Sequence, residues 1–358
     1  MKITYVRVED RAYPRNERVR EALLAAGHEV RVVDRVTGGP KPVRLLQDLW
    51  RSLTAGRGSD VVIVPEFSLP FVPAAWVVAR LNRAVLVVDG FVGKYETVIE
   101  DWAKASPRSI TALGCRVVDR VARTLSDVFL IDTDQRAQAI RDRAPGTRVM
   151  TLPVGSPQWV LPEPPPPAGD GLRVLYSGGM LPLHGVPFVL KALARTDPSI
   201  TLTLVIAAAP ERMAELHSSI GALGLTGRCH FVSWLTHEEL IRTVHRHDVV
   251  LGVFGDSPKA RSVLANKLWQ GLAAGRTVVT RSSPALDEIV GVAGELLIAI
   301  DDEAALARTL EDLHVRRNRL PYNPEIADRL EDYVRTRFDE FLGVIAERRS
   351  RATPRTRR

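Results

Sequence analysis

Residues 251–281 read LGVFGDSPKARSVLANKLWQGLAAGRTVVTR. An apolar run, a polar loop, a helical pattern and a second apolar run follow one another. The loop and the first helical turns carry Lys259, Arg261, Asn266 and Lys267. A helix amino end offers unpaired N–H groups and a positive dipole. Three cations added there make an anion site, and a diphosphate is its natural guest. A solvated basic loop before an ordinary amphipathic helix would read similarly, so the surrounding chain has to decide.

Working outward, the same alternation recurs on both sides. Ahead of residue 160, strands are expected over 2–8, 29–33, 60–64, 84–88, 127–131 and 148–152. Helices are expected over 16–26, 43–53, 73–81 and, interrupted near Pro107, 95–125. After residue 171, strands are expected over 172–177, 201–207, 229–233, 248–253, 277–280 and 296–299. Helices alternate with them over 186–194, 211–223, 238–245, 266–274, 284–290 and 303–316, and helical segments close the chain from 323. Continuous apolar strands alternating with helices predict parallel sheets covered on both faces. The segment LPEPPPPAGDG, 161–171, behaves as a semi-rigid spacer. The expected organisation is therefore a Rossmann-like domain over 1–160, a linker over 161–171 and a second Rossmann-like domain over 172–322. Helices over 323–347 return to the first domain, and a basic disordered tail covers 348–358. Two doubly wound α/β domains in tandem are expected to face each other across a cleft.

The chain has 358 residues and a formal net charge of +7. Arg348, Arg349, Arg351, Arg355, Arg357 and Arg358 supply six of those charges, which leaves +1 for the rest. A near-neutral body excludes general nucleic-acid binding. The arginine tail can attract an anionic membrane surface, at about 1 kcal/mol per basic residue, or serve only solubility. No leader pattern is read at residues 1–10, and no apolar run reaches membrane-spanning length. The two cysteines, Cys115 and Cys229, have no metal or redox spacing. These features predict a cytoplasmic protein, with a peripheral position at the inner face of the plasma membrane as the finer expectation.

Ligands of open α/β sheets bind beyond the carboxyl ends of strands. Gly178, Gly179 and Gly185 fall in such a loop, where glycine lets a backbone approach a phosphate; a tight turn without ligand is the alternative. His184 either donates to a phosphate or caps the following helix. Asp89, Lys94, Tyr95 and Glu96 follow one strand, and Asp132 and Thr133 follow another. Asp89 or Asp132 can orient an acceptor or donor hydroxyl, although a strand-terminal Asp also caps helices. Glu66 is a weaker member of this set. Thr236 and Glu239 have capping-box spacing. His237, His245 and His247 lack a carboxylate at a metal-binding spacing and read as a solvated helix face, so no metal ligands are assigned. No G-x-S-x-G elbow or nucleophilic Cys–His pair is present.

In order, the proline linker, GGMLPLHGV, GLTGRCHFVSWLTHEEL, the 251–281 block and ALDEIVGVAGELL resemble the C-terminal domain of family 4 retaining glycosyltransferases of the GT-B fold. YPRNERVREALLAAGHEVRVV and VDGFVGKYETVIEDW extend the resemblance weakly into the first half. A G-x-G-x-x-G fingerprint is absent, which argues against a simple NAD enzyme. The resemblance implies sugar transfer from a nucleotide diphosphate sugar, as co-substrate, to a hydroxyl acceptor, with retention and with no cofactor. That acceptor is a glycan, a lipid-linked saccharide or a small molecule, and polysaccharide biosynthesis is the setting. It further implies that the backbone of Ser233-Trp234-Leu235 edges the nucleotide base, with Trp234 either stacked on that base or packed over the following helix. Arg15 and Asn16 are implied to lie on the acceptor side, Asn16 also reading as a helix N-cap. Tyr95, Glu96 and Thr133, at strand ends, are expected on that side too. The chain departs from the family where its usual Arg/Lys pair becomes Gly179 and His184, and where its E-x7-E pair becomes Ser262 and Gln270. Lys259, Arg261 and Lys267 then replace the missing cations, Lys259 and Lys267 stabilise the leaving group, and Gln270 bonds a ribose hydroxyl. The lost carboxylates also admit a catalytically silent nucleotide-binding or partner protein. A nucleotide-sugar epimerase ranks last, because the second-half loops are poor in acid–base carboxylates.

Overall fold

The computed structural model describes residues 1–352. The chain forms two compact units: residues 1–154 with the segment from Val334 onward, and Gly155–Tyr333.

Unit 1 holds strands β1 (Lys2–Val8), β2 (Glu29–Asp34), β3 (Val61–Val64), β4 (Val85–Asp89), β5 (Val128–Ile131) and β6 (Val149–Thr151). They pair in parallel in the order β2-β1-β3-β4-β5-β6. β-Branched residues dominate β3 and β4, which are buried throughout and sit at the sheet centre, as side chains that fit a doubly covered pleat should. Alternation sends Ile3, Tyr5, Val61, Ile63, Val85 and Val87 to one face, against Val19 and Leu23 of helix α1 (Pro14–Ala25). Val62, Val64, Leu86 and Val88 go to the other face. There they meet Val72, Ala75 and Val78 of α3 (Val72–Asn82), with α2 (Lys41–Ala55) beside it.

Residues 95–125 split. A π-helical turn covers Glu96–Asp101, and α4 (Ile110–Leu125) starts afresh where Ser109 Oγ accepts from Ala112 N at 3.1 Å. Helix α5 (Asp134–Arg143) was not expected from the sequence.

Unit 2 holds β7 (Arg173–Ser177), β8 (Thr201–Val205), β9 (Cys229–Val232), β10 (Val249–Leu251), β11 (Thr277–Arg281) and β12 (Leu297–Ile300). Their parallel order is β12-β11-β10-β7-β8-β9. Around them lie α6 (Val186–Leu193), α7 (Pro210–Ala222), α8 (His237–His245), α9 (Asn266–Ala273), α10 (Val290–Ala293) and α11 (Glu303–Val315). The helix expected over 284–290 is instead a 3₁₀ segment, Pro284–Glu288, followed by α10.

Two expected boundaries move. The proline stretch belongs to unit 2, which begins at Gly155. Buried Arg276 donates to Glu163 O at 2.7 Å and Pro164 O at 3.1 Å, and Glu163 N donates to Ala274 O. Polyproline backbone makes no bonds of its own, so its carbonyls are free for a guanidinium fork. Helix α12 (Glu325–Ala352) runs through 348–352, where disorder was expected. Ion pairs of Arg351 with Glu347 (2.6 Å) and Arg349 with Asp60 (2.7 Å) hold its last turns. The remainder of the expected tail, 353–358, lies outside the described residues.

Candidate donor site and a polar cluster in unit 1

In unit 2, β7 leads into Gly178 (φ 140°) and Gly179, then a 3₁₀ turn, Pro182–His184, and Gly185 (φ 65°). A Cβ on Gly185 would stand 2.5 Å from the Phe254 carbonyl carbon, so only glycine lets this loop lie against the one after β10. A Cβ on Gly178 would stand 2.9 Å from the His184 ring and 3.2 Å from Lys267 Nζ. The glycine therefore leaves the space in which these side chains meet.

Lys267 lies in the first turn of α9 and is 5% exposed. Its Nζ is 3.7 Å from the Tyr176 ring centre and 3.3 Å from His184 Nδ1. Tyr176 Oη donates to Gly179 O at 2.6 Å and also lies 2.6 Å from His184 Nδ1. No carboxylate faces this ammonium among the described residues, and burial alone drives its pKa well below the ordinary lysine value. Burial and then Lys267 push His184 down to about 2, so the ring is neutral. Helix α9 has no side-chain cap, and Asn266 Oδ1 is buried without a partner. An uncapped helix end beside a desolvated lysine that no described carboxylate neutralises is an anion site: an arriving anion meets the helix dipole and favours the charged form that burial disfavours.

The other expected donor residues divide. Lys259 is buried at 9% exposure, and its charge helps lower His184. Gln270 is buried on α9. Arg261, expected to act with the two lysines, is half-exposed and held by Asp256, with Nε at 2.8 Å. Arg281 Nη1 lies 3.4 Å from the same carboxylate oxygen. Trp234 is 73% exposed, beside the half-buried Leu235, on the loop ahead of α8. Both halves of the Thr236–Glu239 capping box are present. The three histidines do not form a solvated face. His237 stacks on Trp159, His245 lies 3.2 Å from Glu163, and His247 Nε2 lies 2.7 Å from Thr203 Oγ1.

In unit 1, the carboxyl ends of β3, β4 and β5 carry a second polar cluster. Arg15, fully buried, donates to Asp89 Oδ2 and to Leu152 O, both at 2.6 Å, and lies over the Phe91 ring. Its Nη2 has no partner. Asp132 and Glu96 both bind Arg136, which also donates to Phe91 O at 3.2 Å. Asp89 and Asp132, expected to orient a hydroxyl, are thus each committed to a buried arginine. Thr133 caps α5 through Arg136 N (3.3 Å). Tyr95 Oη accepts from Arg116 at 2.7 Å. Asn16 is not the α1 cap; Tyr13 occupies that position, and Asn16 Nδ2 donates to Asp10 O. Glu66 is buried, and desolvation together with Asp89 raises its pKa to about 8. Tyr176, Arg136 and Phe91 were missed in the sequence. The signals were an aromatic directly ahead of Ser177-Gly178-Gly179, and an arginine four residues after Asp132.

Residues 171–315 match the sequence model of the family described as glycosyl transferases group 1. Unit 2 carries a group 1 glycosyltransferase domain. The whole chain has the GT-B fold. Sucrose-phosphate synthase from Thermosynechococcus elongatus superposes with a TM-score of 0.63 at 16% identity, over 97% of each chain. Anabaena HepE in complex with UDP and glucose gives 0.67 at 15% identity, over 96% of this chain and 99% of that one. A glycosyltransferase from Rickettsia africae gives 0.66 at 11% identity, over 97% and 98%. Among curated proteins, none matches significantly. Within the glycosyltransferase domain, the uncapped α9 and Lys267 lie in the matched segment, as do Gly178, His184 and Gly185.

Proposed function

We propose that the protein transfers a glycosyl group from a nucleoside diphosphate sugar to a hydroxyl acceptor, with Lys267 holding the diphosphate. The observation that carries this reading is the buried Lys267 amino group, turned to a glycine loop and facing no carboxylate among the described residues. A diphosphate supplies the missing countercharge. The acceptor oxygen bonds to the anomeric carbon as the carbon–phosphate-oxygen bond breaks, and the departing diphosphate takes the hydroxyl proton on the same face. Configuration is then retained. Lys267, Lys259 and the α9 amino end stabilise charge that develops on the leaving group, so a metal ion has no required part.

The acceptor is a glycan or lipid-linked saccharide, met at the inner face of the plasma membrane. Exposed Ile110, Leu113 and Val117 share one face of α4 beside Arg116, and Lys104 covers the Trp102 ring. That pattern suits an anionic interface. No described helix is long and apolar enough to cross a membrane.

The test is a thermal-shift screen against UDP, GDP, dTDP, ADP and CMP and their sugars, with and without magnesium. One nucleoside diphosphate should raise the melting temperature without metal. Its sugar should then be transferred by the wild type, and by Lys267→Met at least 100-fold more slowly. Binding without transfer or hydrolysis would favour the silent nucleotide-binding protein. No shift with any ligand would sink the donor-site reading.

A further inference from the structure

A cavity in unit 1 lies outside both clusters. Helix α4 runs into β5, and the turn after α5 runs into β6. Both junctions stand at the amino ends of parallel strands, the sheet edge opposite Glu66, Asp89 and Asp132. Between them is a cavity of about 570 Å³ lined by Arg120, Arg123, Arg143, Thr124, Gly146 and Thr147. Among the described residues, none of the three guanidinium groups has an ion-pair or hydrogen-bond partner. Burial, then Arg143 and Arg120, depress the pKa of Arg123 against the pull of Asp119 and Glu96. Asp119 is occupied by the amides of Lys94 and Tyr95, each at 2.9 Å, and Glu96 by Arg136.

Cations near helix carboxyl ends are favourable, which accounts for arginines on the last turns of α4 and α5. It does not account for three like charges around one concavity with no counter-ion. We propose that this pocket binds a phosphoryl group, carried by a soluble phosphate compound or by a lipid headgroup. Guanidinium forks grip phosphate oxygens bidentately. Three of them match a dianion better than a carboxylate, which one fork satisfies. The Thr124 and Thr147 hydroxyls add uncharged donors. The near-neutral body of the chain (+1 without the arginines of 348–358) makes this a local site rather than a sector of a general basic surface.

The experiment titrates the full chain with inorganic phosphate by calorimetry. It also measures co-sedimentation with phosphatidylcholine vesicles with and without phosphatidic acid. The variants are Arg123→Gln/Arg143→Gln, exposed Arg143→Gln alone in case the double variant does not fold, and Lys267→Met. Phosphate affinity should fall at least tenfold in the double variant and at least threefold in the single one, and persist in Lys267→Met. A parallel loss of phosphatidic acid binding assigns a lipid headgroup; loss of phosphate binding alone assigns a soluble ligand. The proposal is overturned if phosphate does not bind, or if binding survives the arginine variants and vanishes in Lys267→Met. Failure of the donor reading would appear only in the nucleotide screen.

Discussion

Lys267 makes anion binding a protonation event. Burial without a carboxylate holds its pKa well below 10.5, and a bound diphosphate raises it again. The sign follows: the complex binds more protons than the free protein, so affinity weakens as pH rises through the interval between the two pKa values. Calorimetry of nucleoside diphosphate binding between pH 7 and 9, in buffers of different ionisation enthalpy, should show proton uptake in the wild type and none in Lys267→Met. Equal heats in all buffers would mean that the ammonium is already charged in the free protein. The lysine could be read from its place after a polar loop. Its surroundings could not, because Tyr176 and His184 reach it only through the pairing of β7 with β10, a non-local fact. The same holds for Asp89 and Asp132. Strand-end position was legible, whereas commitment to Arg15 and Arg136 depends on how α1 and α5 fold back.

Helix α9 can present that lysine because Gly271 lies against the sheet. A Cβ there would stand 2.7 Å from Val278 Cγ2 and 3.0 Å from Val250 Cβ. Gly271→Val should therefore destabilise unit 2 by about 1–3 kcal/mol through overpacking and weaken nucleotide binding with it. Urea unfolding checks the first and a binding titration the second; an unchanged midpoint would show that α9 shifts freely. Strands were the most legible elements, since runs such as Val61–Val64 and Val85–Val88 are buried on both faces. Helix α5 was not, because DQRAQAIRDR offers little apolar stripe beyond Ala137 and Ile140. Charge pairing holds it instead, through Arg136 with Asp132 and Arg337 with Asp134. The proline run was seen but misplaced, since nothing local announces that Arg276 will collect its carbonyls.

At the scale of the whole chain, unit 2 has a core of its own, from Leu172 and Val174 to Leu310 and Leu313. Residues 155–333 produced alone should unfold cooperatively and bind the chosen nucleoside diphosphate within about threefold of the full chain. A fragment without a melting transition would show that its stability is borrowed. Unit 1 has no such independence in sequence: unit 2 is inserted between residues 154 and 334. Phe338, Phe341 and Ile345 of α12 complete the apolar face of Ile3, Tyr5, Val61 and Val85. On the ribosome, that face is made within the first hundred residues; α1 covers part of it at once through Val19 and Leu23, and the rest is covered only when α12 emerges. At about 5–20 residues per second, the wait is roughly 10–50 s. For that time the nascent chain carries a partly covered hydrophobic sheet, and chaperone occupancy or a premature stop near residue 334 decides whether it folds or aggregates.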